Sequence, residues 1–195
     1  MNIDTRYLIR WGIPGWIFMI FSSIYFIVRD FKMFLELFPA GGTSIVAIGA
    51  VLTVLGIPIG YLFNQIHHTI TFVIIQIFRW DRYFKFESQF ENYMFSLKEG
   101  SEGSRDKVHE RYRYLLSRIH EIGSICIAII SSELLVIIWD LYFVTESNMF
   151  VVLYHITVIL ILVIMWIDRW YYKRNIEVFI NFHCEKAGIK KFYRS

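Results

Sequence analysis

Charge is what this chain has least of. Of its 195 residues, 19% are charged, against roughly 25% in a typical soluble domain, while 56% are hydrophobic and 18% aromatic. The mean hydropathy is +0.46. Such a composition excludes a water-soluble globule that needs only one core. Cysteine is nearly absent as well. Cys126 lies in an apolar stretch and Cys184 in a basic tail, so no disulfide framework is available and both are expected as free thiols. Motifs for chemistry are missing in the same way. There is no HExxH, HxxxH, CxxC, GxSxG or paired-aspartate pattern, and Gly41, Gly42, Gly100 and Gly103 do not form a phosphate loop. The reading is therefore no enzyme, no cofactor and no metal site.

Bases are scarce on one side of the apolar stretches. Threading those stretches through a membrane leaves only Arg29 and Lys32 of the 20 Lys and Arg residues on one side, with the rest in three segments on the other. This is the positive-inside signature, and it predicts an integral, polytopic membrane protein with both termini in the cytoplasm. It also accounts for the net charge of +3 and the pI near 8.8. Basic and acidic residues alternate in the main polar region, so nucleic acid is not an expected partner.

What is present is four long apolar runs, which predict an all-α fold of four transmembrane helices, a cytoplasmic helical hairpin and an amphipathic C-terminal tail. The organisation is 1–78 for the first two helices, 79–121 for the hairpin, 122–168 for the third and fourth helices, and 169–195 for the tail. The first span covers about residues 7–28 and reads as a signal anchor, being longer than a signal-peptide core. The second apolar run, residues 43–80, would make about 55 Å of continuous helix, too much for one crossing. Gly56, Pro58 and Gly60 are the candidate hinge, because proline removes a ladder donor and crowds the preceding turn. The crossing is placed at about 43–66, followed by an amphipathic extension. The third and fourth spans, about 122–144 and 149–167, are joined by only Thr145 to Asn148, which enforces an antiparallel hairpin.

In the polar region, Phe86, Phe90, Tyr93, Met94 and Leu97 recur at helical spacing before the turn KEGSEGS at 98–104. Val108, Tyr112, Leu115, Leu116 and Ile119 do so after it. The tail adds Ile176, Phe179, Ile180 and His183 on one stripe. These three stripes are expected to pack together, lie on lipid headgroups or bind a cytoplasmic protein partner.

Glu133 and Asp140 are the costliest residues, sitting inside the third span and seven apart, hence within about 20° of one face. They mark either an ion or proton path or interhelical polar contacts, with Thr53, Ser22 or Ser23 as hydroxyl partners for Glu133, which has no evident basic partner at its own depth. His155 in the fourth span falls at the depth of Asp140, predicting an Asp140–His155 hydrogen bond. Asn64, His67, His68 and His120 form a candidate polar cluster at the inner interface. Adjacent histidines diverge by about 100°, so only one of His67 and His68 can share a site with His120. The run 105–109 (RDKVH) reads as a solvated helix face.

Two functional classes fit. One is an oligomeric membrane effector, pore- or channel-like, in a lipid bilayer as a homo-oligomer with a cytoplasmic assembly or sensing module. The other is a non-conducting adaptor that recruits a cytoplasmic protein through the hairpin.

Overall fold

The fold, taken from a computed structural model, is described for residues 5–32, 42–74, 80–96, 105–143 and 148–188. Among the described residues there are five α-helices and no strand. They are α1 (Thr5–Arg29), α2 (Gly42–His68), α3 (Trp80–Ser96), α4 (Arg105–Phe143) and α5 (Met149–Ala187), with a π-helical segment, Thr69–Ile74, directly after α2. Four helices are long and apolar enough to cross a membrane: α1, α2 with its π-helical continuation, α4 and α5. Helices α4 and α5 have 39 residues each, about 58 Å at ~1.5 Å per residue, twice a ~30 Å hydrocarbon layer. The polar stripe of residues 105–119 and the tail stripe of residues 176–183 are thus the ends of the same helices that carry the apolar runs. Residues 98–104 and 145–147, where the sequence places its two tight links, lie outside the described residues.

Helix ends follow local chemistry. The Asn148 side chain accepts from the Phe150 amide at 2.9 Å, and its carbonyl accepts from the Val151 and Val152 amides, starting α5. Gly188, at φ 67°, closes the same helix in the left-handed conformation that glycine adopts without steric cost.

The chain divides into two compact units. One comprises Met1–His67 and Glu121–Trp166, the other His68–His120 and Ile167–Ser195. The first has a core of Tyr25, Ile129, Val136, Val151, Tyr154 and Val158. Ala128 and Ser132 are fully buried on α4, small residues that allow close helix approach. In the second unit, Phe86, Phe90 and Met94 of α3 meet Val108, Leu115 and Ile119 of α4 and Ile176, Ile180 and Cys184 of α5. The three amphipathic stripes therefore pack on one another. A 17-residue helix such as α3 is marginal alone, and burial of this stripe supplies its stability.

Pro58 does not break α2, which runs through it without interruption. The departure from α-helical bonding comes later, at Thr69–Ile74. In the turn before Pro58 the indole of Trp16 donates to the Thr53 carbonyl at 2.9 Å, an interhelical bond one residue from the Val54 carbonyl that the proline leaves without its ladder donor. The neighbouring glycines serve close packing. A Cβ on Gly15 would fall on the Gly56 carbonyl and 2.6 Å from the Gly60 nitrogen. One on Gly60 would fall on the Trp11 carbonyl and 2.8 Å from the Gly15 nitrogen, so α1 and α2 cross backbone to backbone.

Candidate functional site

Helix α4 carries Glu133 and Asp140 two turns apart on one face, and α5 brings His155 against them. The Nδ1 of His155 lies 2.5 Å from Glu133 Oε1, and its Nε2 lies 3.6 Å from Asp140 Oδ2. The hydroxyl of Tyr25, from α1, donates to the other oxygen of Asp140. Four polar side chains from three helices thus form one line: Glu133, His155, Asp140, Tyr25. Tyr25 is completely buried, and the Glu133 side chain is 12% exposed.

Secondary contacts hold this line. The Ser22 and Ser132 hydroxyls share a hydrogen bond at 2.9 Å, tying α1 to α4 one residue from Glu133. The Tyr154 hydroxyl donates to the Phe21 carbonyl at 3.1 Å, tying α5 to α1 one residue from His155. The Tyr25 ring meets the Tyr154 ring edge-on at 5.7 Å and the imidazole of His155 at 6.2 Å. Among the described residues, Glu133 Oε2 is buried with no hydrogen-bond partner.

The chemistry follows from the two-ended imidazole. At 2.5 Å, Nδ1 and Oε1 are within hydrogen-bond distance. Three arrangements satisfy this contact: an imidazolium donating to a carboxylate, a carboxylic acid donating to a neutral imidazole, or a neutral imidazole donating its Nδ1–H to a carboxylate. The first also turns an Nε2–H toward Asp140. Exchanging the first two moves one proton along the line and changes the charge of each partner. Among the described residues no group of three or more His, Cys, Asp or Glu side chains is arranged to hold a metal ion.

These positions correct the sequence reading in part. Glu133 does have a basic partner, and it is His155. Two of its three expected hydroxyl partners are engaged elsewhere: Thr53 Oγ1 donates to the Gly49 carbonyl of its own helix at 2.8 Å, and Ser22 pairs with Ser132. Asp140 and His155 do come together, at ion-pair rather than hydrogen-bond distance. Tyr25 is not foreshadowed by any local spacing, because it stands 115 residues from Asp140. The Gly56-x-x-x-Gly60 spacing does signal a close helix contact, since it places both glycines on one face.

The inner histidines separate. Asn64 donates to the Gly60 carbonyl of its own helix at 3.1 Å. His67 is buried where a Cβ on Gly123 would meet its ring. His68 and His120 pair face to face, with ring centroids 6.1 Å apart and planes 13° from parallel, and Phe72 stacks against both. In the second unit's core, burial first and the Lys186 charge second push the His183 imidazole below its ordinary value. In the stretch 105–109, Asp106 and Lys107 are exposed.

Comparison with protein-family models, with curated proteins and with solved structures finds no match to this chain.

Proposed function

We propose that this protein is a polytopic, oligomeric membrane effector that passes protons or small cations along the face bearing Glu133, His155 and Asp140. The observation that carries the reading is the line of titratable groups inside the apolar helices. Ionisable side chains at such depth are costly, and where they occur they commonly mark ion or proton paths. Histidine can accept a proton at one ring nitrogen and release it at the other, and His155 faces a carboxylate at each. The distribution of bases supports an orientation with both termini and residues 79–121 in the cytoplasm. In this reading the membrane occupies about the first half of α5 and the second half of α4. The unit containing α3 is then the assembly or sensing module.

A second reading, a non-conducting adaptor, draws on the separate core of Phe90, Leu115 and Ile180, which gives the second unit a scaffold of its own. One experiment separates the two. The purified protein is reconstituted in liposomes under a potassium diffusion potential, its oligomeric state is measured, and internal pH and cation entry are followed. Flux that scales with the oligomeric fraction supports the effector. Tight vesicles at every protein density leave the adaptor. Cysteine reporters at Ser101 and Ser195 labelled from the cytoplasmic side, with one at Glu146 labelled from outside, test the orientation.

A further inference from the structure

The line of Glu133, His155, Asp140 and Tyr25 holds the oxygens of two carboxylates, and three of those oxygens face a side chain. Glu133 Oε1 lies 2.5 Å from Nδ1 of His155, Asp140 Oδ2 lies 3.6 Å from its Nε2, and Asp140 Oδ1 accepts from the Tyr25 hydroxyl. Glu133 Oε2 remains, buried and with no hydrogen-bond partner among the described residues. The nearby hydroxyls are engaged as well. Ser132 shares its hydrogen bond with Ser22, and Tyr154 donates to the Phe21 carbonyl. Val136, Val151 and Val158, in the same core, carry no side-chain oxygen.

This arrangement discriminates between the species that could travel along it. A metal cation stripped of water needs several oxygens at once to replace its hydration shell, about six for calcium or magnesium. The line presents its oxygens singly, with the imidazole standing between the two acids. A cation would have to displace the ring. A proton instead passes through it, because an imidazole takes a proton at one nitrogen and releases one at the other.

Each step of that passage balances. A protonated Glu133 gives its proton to Nδ1 of the neutral ring. The imidazolium then closes on Asp140 to about 3 Å and gives its Nε2 proton to the carboxylate. One proton has moved from Glu133 to Asp140, and the ring is neutral again with its remaining proton on Nδ1. Turning of the ring, or proton exchange with water, restores the first tautomer.

We infer that the line carries protons and excludes metal cations, with His155 passing the proton between the two acids. This selectivity rests on the line being a path, the reading proposed above, and it names the cargo.

The test uses the full-length protein in liposomes under a potassium diffusion potential, with proton entry and sodium entry each compared with protein-free vesicles. Proton entry without sodium entry is the expected result. His155→Asn keeps a hydrogen-bonding side chain but cannot relay a proton, and it should lower proton entry by about a hundredfold. His155→Ala should do the same and regain proton entry in added imidazole, beyond the effect of imidazole on protein-free vesicles. A histidine that only holds helices together would not give that recovery. Circular dichroism and gel filtration verify that both variants are folded. Sodium entry above the protein-free level would overturn the selectivity and leave the path standing, whereas vesicles tight to both ions would remove the path itself. Wild-type proton entry in both variants, or a loss that imidazole does not restore, would overturn the relay through His155.

Discussion

Glu133 of α4 and His155 of α5 are joined at 2.5 Å, the shortest link between the acidic face of one apolar helix and its antiparallel neighbour. Because the contact is partly buried, removing His155 leaves Glu133 desolvated without its basic partner, and removing Glu133 leaves the imidazole only its longer contact to Asp140. A double-mutant cycle of Glu133→Gln and His155→Asn, read by unfolding in mixed micelles, should give a coupling of about 1.5 to 3 kcal/mol. Additivity within about 0.5 kcal/mol would mean that the pair contributes no specific interaction.

The glycine crossing of α1 and α2 makes a second prediction. A methyl group at Gly15 or Gly60 collides with backbone of the facing helix, which has no flexible end to move aside. Gly15→Ala and Gly60→Ala should each destabilise by about 1 to 3 kcal/mol, the usual cost of overpacking. Gly49 has nothing within 4 Å of its would-be Cβ, so Gly49→Ala should be neutral or slightly stabilising. Melting temperatures of the three variants in one detergent decide it, and a Gly49→Ala loss equal to the other two would count against the crossing.

How far the sequence carried the fold is visible at these two places. Apolar length and helical spacing are local properties, so the four long helices and the stripes of Phe90, Leu115 and Ile180 are legible from periodicity. The meeting of Asp140 and His155 is also legible, because a short link between antiparallel helices sets residue depth. Depth alone assigns His155 one partner, whereas an imidazole has two nitrogens on different sides of its ring and here meets both acids. Helix rotation and side-chain reach decide that, and neither is encoded in spacing. Tyr25 is less legible still, since its contact with Asp140 depends on how α1 packs against α4. At Gly56 and Gly60 local spacing does not name the helix that approaches; the close approach of α1 is a tertiary requirement.

The core histidine of the second unit supplies a pH prediction. Burial lowers the His183 pKa in the folded protein, so the unfolded chain binds more protons once the pH falls toward its ordinary value of about 6.5. The stability associated with a neutral His183 is therefore full above about pH 6.5 and is lost as pH falls from there toward the folded-state value. Amide exchange across residues 176–184, compared between pH 7.5 and pH 5.5, should show faster opening at the acidic pH after correction for intrinsic rates. His183→Gln should flatten that dependence, and an equal pH slope in wild type and variant would refute it.

In the proposed function the line of Glu133, His155 and Asp140 serves a path rather than only holding helices together. Glu133→Gln keeps the shape and much of the hydrogen bonding of the side chain but removes its titrating proton, whereas Glu133→Leu removes both. The most direct measurement is proton and cation flux in liposomes for wild type and these two variants, alongside their oligomeric state in detergent. Glu133→Gln is expected to lose flux while its assembly stays intact. Wild-type flux in Glu133→Gln, with assembly loosened only in Glu133→Leu, would contradict it and leave the acid as interhelical glue.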